Sequence, residues 1–344
     1  MSLNLGTLED LPQSYRDELS ALNLVPLWPS MRAVLPYNVP TRRTQSLCWR
    51  YEAIRPLLMQ AGELTPMEKA ERRVLVLANP GHGLENMQVS PSIYMGIQLV
   101  LPGETAPNHR HTPNAVRIII EGEGAFTTVD GEQCRMERGD LILTPTGKWH
   151  EHHQEGDTPI IWLDILDLPL IYNLEGSWAI EGKPQQNARI DDKSFAEYSA
   201  AGVVPYVNET PASTDTPQLR YPWSKTRACL VAMSEQLSEG LLAIRYTNPE
   251  TGRSPFPSLD FGALMLRPGE SVTLAKRTYP RALHAVEGSG SLQVDGGEAL
   301  HFVEKDTLSA PGYSDVKLSN ASNSEPLFLI SADESPLHHY LGIY

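Results

Sequence analysis

The sequence predicts an all-β protein in which one barrel is built twice behind a helical and extended N-terminal arm, and two observations carry that prediction. Beyond residue 73 the chain runs in short β-branched and aromatic stretches, VLVLANP, SIYMGIQLVLPGE, VRIIIEGEGAFTTVDG, GDLILTPTG and PIIWLDILD, punctuated by Gly, Pro and Asp-Gly. Such runs mark barrels and sandwiches. Four turn signals then recur in one register: Leu101-Pro-Gly-Glu104 with Arg267-Pro-Gly-Glu270, Glu121-Gly-Glu-Gly124 with Glu287-Gly-Ser-Gly290, Gly139-Asp140 with Lys305-Asp306, and Pro145 with Pro311, each pair 166 residues apart. A constant shift over four separate turns is an internal repeat.

Taken in order, residues 8–22 read as a helix with Leu11, Tyr15, Leu19 and Leu22 on one face. Prolines 26, 29, 36 and 40 favour an extended segment laid over another surface. Helical stretches follow over residues 49–60 and 65–73, the second with Thr65 and Glu68 at capping-box spacing. The chain thus divides into an arm (1–73), a first barrel (74–170), a connection (171–250) and a second barrel (251–344). Residues 169–241 are rich in Asn, Ser, Thr and Pro and read as irregular with a little helix.

A formal charge of -14 disfavours nucleic acid and anionic membrane surfaces, since both recruit basic patches. Cys48, Cys134 and Cys229 are far apart and odd in number, which argues against a disulfide framework and for a reducing compartment. The acidic start and the lack of an apolar run of about 18 residues point to the cytoplasm.

The chemistry concentrates in the first repeat. His109-x-His111 places two imidazoles on one face of a strand, and His150-x-His152 adds another pair from a second strand. His109, His111 and His150 form the expected metal-binding face. Three neutral imidazoles leave coordination positions open, as a catalytic site requires. Ligand chemistry alone admits iron, manganese, cobalt or zinc. Under the repeat shift the three positions hold Ala275, Arg277 and Val316, so the second barrel lacks the site; Arg277 and His284 stand as its polar remnants. Arg117, alone in an apolar run, needs a partner: a bound carboxylate, or Asp164 or Glu121. Pro113 leaves open which way it faces.

The spacing Gly103-x5-His109-x-His111 followed by Gly139-x5-Pro145-x-Gly147-x2-His150 resembles the two metal-site motifs of the cupin superfamily, except that Ala115 or Val116 stands where a glutamate ligand is usual. Together with PLWPSM, WRYEAIRPLLMQAGEL and AERRVLVLANPG, this resembles the gentisate 1,2-dioxygenase family, which includes salicylate and 1-hydroxy-2-naphthoate dioxygenases. The resemblance implies a bicupin of two jelly-roll barrels, usually a homotetramer, that uses Fe(2+) and O2 to open the ring of a small aromatic carboxylate.

It further implies a pocket glutamine at Gln98, a carboxylate-binding arginine at Arg117, a pocket acid at Asp164 and a histidine near the oxygen site at His152. Tyr94 falls where the family separates hydroxylated from unhydroxylated substrates. Arg73 is implied as a second carboxylate-binding arginine, with Arg72 competing for that role. Trp149 reads as packing for His150, and Glu151, His153 and Asp157 as solvated turn residues. Two readings stand outside the dioxygenase class: a zinc or manganese cupin isomerase, and a non-catalytic ligand-binding bicupin.

Overall fold

The computed structural model describes residues 6–183, 190–203, 205 and 216–343. It contains two compact units, residues 1–43 and 44–344. The first carries a short 3-10 turn, Leu8–Asp10, and two helices, Gln13–Ala21 and Leu27–Val34. The expected extended segment is therefore corrected to a helix over Leu27–Val34, while Pro36 and Pro40 lie in the non-helical chain that follows. Pro26 precedes the helix's first residue and Pro29 lies in its first turn, where backbone N–H groups have no intrahelical partner and a proline costs nothing.

The second unit holds four sheets. Two belong to the first half: one ordered 220–221, 141–144, 115–121, 160–166, 94–100 and 73–76, the other 179–181, 105–111, 150–154, 125–129, 132–135 and 190–191. The second half repeats the pattern in one six-stranded and one four-stranded sheet. Apart from the short parallel pair 190–191 with 132–133, every strand pairing among the described residues is antiparallel. The chain is thus the all-β bicupin its sequence predicts.

The duplication holds at the level of single hydrogen bonds. Leu101 N donates to Glu104 Oε2 at 2.7 Å, and Arg267 N to Glu270 Oε2 at 2.7 Å. Gly147 N donates to His111 O and Tyr313 N to Arg277 O. The bulge that sets Ile119 and Glu121 around one step of its partner strand returns at Ala285 and Glu287.

The repeat also extends beyond the barrels, through segments that cross over. The strand Leu47–Trp49 precedes the first barrel yet pairs with residues 307–309 of the second. Asp306 then accepts from Tyr51 N at 2.8 Å and from Arg50 Nη1 at 3.0 Å, at the start of the helix Tyr51–Leu64. In mirror fashion Arg220–Tyr221 precedes the second barrel and pairs with the first. Asp140 accepts from Trp223 N at 2.8 Å and Arg220 Nε at 2.6 Å, at the start of the helix Trp223–Gln236. Each half thereby caps the other's helix, and the region read as irregular holds a 14-residue helix.

Between the halves lies the larger core. Val116, Ile118 and Ile120 of one strand, with Ile161, Leu163 and Ile165 of its neighbour, pack with Phe261, Ala263, Phe328 and Ile330 of the second half. The intervening Ile119 and Trp162 turn into the first barrel. Burial on both faces explains why these strands read as continuous apolar runs. The second barrel is filled by Leu266, Leu283, Phe302, Leu318 and similar residues. His284 shares the parity of Ala282 and Val286, which join the inter-half core, so it is no remnant of an inward site.

Two local expectations need correction. The stretch 65–73 is helical only over Met67–Ala70, with Pro66 rather than Thr65 at its N-cap, because the proline fixes the helix entry. Glu151 and His153 are not solvated turn residues. They lie in the strand His150–Gln154, Glu151 is buried, and its Oε1 is 3.0 Å from His153 Nε2.

Candidate metal centre

The strand Thr105–His111 carries two of the three histidines and pairs with His150–Gln154. Ala106 stands opposite His152, and without interruption residues 108 and 110 would face inward with it. A bulge between Ala106 and His109 shifts the register by one, so that His109 stands opposite His150. One extra residue exchanges the two faces of a strand; Pro107 sits at this interruption, where its missing N–H is tolerated. His109 and His111 thus turn inward, while Arg110 lies outside, 4.8 Å from the ring of Trp149.

His109, His111 and His150 each offer one ring nitrogen within 4.8 Å of the others'. Their Nδ1 atoms lie against backbone carbonyls two residues away: His111 to Pro113 O at 2.7 Å, His150 to Lys148 O at 3.0 Å, and His109 to Pro107 O at 3.3 Å. A carbonyl accepts only from a protonated Nδ1, which at His111 and His150 leaves the Nε2 lone pair free for a metal; the His109 ring also lies against the Arg72 guanidinium, which can only donate to it. Burial pushes the imidazoles down, His109 to about 2, His111 to about 4 and His150 well below the ordinary histidine range. Neutral ligands are what a divalent cation needs. His150 Nε2 is buried with no hydrogen-bond partner among the described residues, so donor set and orphaned atom both fit a bound ion.

Strand parity gathers the remaining candidates onto the same inner face. Gln98 stands beside Trp162, and Asp164 lies between Gly96 and Arg117. Arg117 and Asp164 are buried, with Nε 3.4 Å from Oδ1; Arg117 Nη1 also donates to Thr144 Oγ1. Glu121, the other possible partner, instead accepts from Arg55 and Lys305. Burial pushes the Asp164 carboxyl up, against the pull of Arg117. His152 lies 3.0 Å through Nδ1 from Thr127 Oγ1, and its ring is 5.0 Å from that of Trp162. Gln98 Nε2, Arg117 Nε, His152 Nε2 and Asp164 Oδ1 are all buried without a hydrogen bond among the described residues. Each such atom costs about 1–3 kcal/mol, and so many together on one inner face mark it as prepared for a polar ligand.

Arg73 does not join them. It stands opposite Leu99 on the outer face, pairs with Glu104 and is almost fully buried. Its neighbour Arg72 turns the other way, with Nη2 donating to Pro107 O at 2.7 Å and lying against the His109 ring, closer to Nδ1 than to Nε2. Alternation along the strand separates two adjacent arginines that sequence alone leaves equivalent. Gly96 was missed entirely. A Cβ there would lie 2.4 Å from Val74 Cγ1 and 2.7 Å from the Tyr94 hydroxyl, so glycine lets the Tyr94 ring fold back along its strand.

A barrel packed with apolar residues and carrying three imidazoles able to hold a metal ion beside a buried ion pair is a candidate cupin metal site. Residues 96–166 match the cupin domain family. Gentisate 1,2-dioxygenase of a Ralstonia species is 55% identical, over 100% of this chain and 96% of its own length. Gentisate 1,2 dioxygenase 1 of Aquipseudomonas alcaligenes is 35% identical over 93% of this chain and 92% of its own. Among solved structures, salicylate 1,2-dioxygenase from Pseudoaminobacter salicylatoxidans, in adducts with gentisate, superposes with a TM-score of 0.90 at 28% identity, covering 99% of this chain and 96% of the other. The chain belongs to the gentisate 1,2-dioxygenase family of ring-cleaving dioxygenases.

Proposed function

We infer that the chain opens the ring of gentisate, 2,5-dihydroxybenzoate, between the carboxylate-bearing carbon and its hydroxylated neighbour, adding both atoms of O2 to give maleylpyruvate. The observation that carries this reading is the inner face itself: His109, His111 and His150 bring one ring nitrogen each to a common point, with His150 Nε2 unbonded among the described residues, beside Arg117, whose Nε has no hydrogen-bond partner there. Identity of 55% to a gentisate dioxygenase over the whole chain supports the substrate.

His109, His111 and His150 would hold Fe(2+), which would supply Lewis acidity toward a chelating phenol and an electron path from the ring to O2. Arg117 orients the substrate carboxylate with its planar fork, a geometry lysine cannot reproduce. Gln98 and Tyr94 line the ring, and His152 and Asp164 hold the proton of the distal hydroxyl. Arg72 takes the second arginine role in place of Arg73. The apolar wall formed by Trp162, Ile119 and Val100 keeps water from the reacting carbon.

A homotetramer is supported by the first unit, where Leu22, Val25, Val34 and Leu35 are at least 60% exposed, more apolar surface than so short a segment leaves in water. Cytoplasmic residence agrees with three free cysteines; no helix among the described residues is long and apolar enough to cross a membrane.

The test is anaerobic loading with iron(II), then aerobic addition of gentisate, with salicylate and a zinc-loaded sample in parallel. Rapid iron-dependent product from gentisate is expected. Turnover of salicylate alone would move the substrate assignment, and activity only with zinc would favour an isomerase.

A further inference from the structure

The two halves of the chain meet at a buried polar knot beside the histidines. Asn114 directly follows Pro113, the residue whose carbonyl accepts from His111 Nδ1. Its side-chain oxygen accepts from Thr146 N and Thr146 Oγ1, both at 3.0 Å. Thr146 belongs to the turn 145–148 that presents Lys148 O to His150 Nδ1. One asparagine therefore ties together the two turns whose carbonyls set two of the three ligating imidazoles.

Asn114 is itself anchored. Its backbone N and Nδ2 donate to the two carboxylate oxygens of Asp167 at 2.8 and 2.9 Å. Asp167 Oδ2 also accepts from Ser258 Oγ, in the second half, at 2.5 Å. Asn114, Asp167 and Ser258 are all buried, so each bond is made where water cannot replace it.

The internal repeat supplies a comparison within the same chain. The counterparts of His111 and His150 are Arg277 and Val316, and those of Asn114 and Thr146 are Pro280 and Gly312. Neither Pro280 nor Gly312 has a side chain able to make the bond, although the aspartate persists as Asp333. The tie between the turns is thus missing where the ligands are missing, while the fold around it stands.

We propose that Asn114, held by Asp167 and Ser258, is a positioning residue for the metal centre, and that through Ser258 the second half helps to set the geometry of a site it does not contain. The proposal rests on the reading of His109, His111 and His150 as metal ligands. Partners that orient metal-bound histidines are worth roughly 10- to 100-fold in metal affinity.

The experiment titrates the metal-free full-length chain with Co2+ alone, taking Kd from competition with a chelator and coordination geometry from the visible Co(II) spectrum, with urea unfolding of the metal-free protein alongside. Asn114→Ala should weaken Co2+ binding by about 10- to 100-fold and alter the spectrum. Ser258→Ala should act in the same direction by a smaller factor, and Ser258→Thr, which keeps the hydroxyl, should restore both readouts. The control is Asn320→Ala, which removes a buried asparagine bonded to three carbonyls of the second half; it should lower the unfolding midpoint and leave Kd and spectrum unchanged. Wild-type Kd and spectrum in Asn114→Ala, or equal weakening in Asn320→Ala, would overturn the proposal. Failure of the wild-type chain to bind Co2+ would overturn the ligand assignment itself, a distinct result.

Discussion

Arg117 and Asp164 face each other across adjacent strands inside the first barrel, with Nε 3.4 Å from Oδ1 and both side chains less than a tenth exposed. They make an ion pair without a hydrogen bond, since neither atom has a hydrogen-bond partner among the described residues. The charges neutralise each other while the donor and acceptor capacity of both remains for a ligand.

That arrangement separates two roles of Arg117. Arg117→Lys keeps the charge beside Asp164 and loses the fork, so kcat/KM for gentisate should fall by about two orders of magnitude with metal content unchanged. Arg117→Leu leaves a buried carboxylate unpaired and should cost about 3–5 kcal/mol in urea unfolding. Adding Asp164→Leu should recover much of that loss. Wild-type turnover in the lysine variant would remove Arg117 from the substrate site.

Gly96→Ala should disturb Tyr94, because the added Cβ would meet both its hydroxyl and Val74. Overpacking of this kind costs about 1–3 kcal/mol. The expected kinetic result is a changed ratio of kcat/KM between gentisate and salicylate at unchanged metal affinity; an unchanged ratio would show that Tyr94 does not select substrate.

Arg220 and Arg50 each bond the aspartate that caps the helix following them, but from different places, since by strand register Arg220 corresponds to Cys48 and Arg50 to Pro222. The Arg220 side chain is 6% exposed and bonds Asp140, Asp192 and Glu137, whereas that of Arg50 is 46% exposed and, among the described residues, pairs with Asp306 alone. Arg220→Met should therefore destabilise by about 3–5 kcal/mol and Arg50→Met by no more than about 1 kcal/mol. Similar losses in urea unfolding would refute the distinction.

His284 provides a pH test away from the metal centre. Burial, and secondarily Arg138, push it down to about 3, and Nδ1 lies 3.1 Å from Thr307 Oγ1. Between about pH 6.5 and pH 3 the unfolded chain binds this proton and the folded chain does not, so its contribution is present above about 6.5 and is lost as pH falls. The slope is at most about 1.4 kcal/mol per pH unit. Stability of His284→Gln, measured from pH 7.5 to 5, should fall less steeply than that of the parent; parallel curves would count against a neutral buried histidine.

How much was legible beforehand follows from which interactions are local. The repeat was readable because turns are written in short Gly, Pro and Asp signatures, and Gly103 and Gly269 both take positive φ that other residues avoid. The extended reading failed over Leu27–Val34 because prolines at a helix start look like prolines in an extended strand until the hydrogen bonds are known. The crossed segments left no trace, since the pairings of Leu47–Trp49 and Arg220–Tyr221 join residues far apart in sequence.

By itself the sequence determined the class: a twice-built barrel with imidazoles in one copy, which side-chain chemistry and strand period suffice to announce. Tertiary structure alone decided which faces meet. The bulge before His109 turns two histidines inward, strand pairing sends Arg72 and Arg73 to opposite sides, and Ser258 reaches the knot at Asn114 from the other half. Each depends on a one-residue register or a long-range contact, and register is set by partners that a single strand's sequence does not contain.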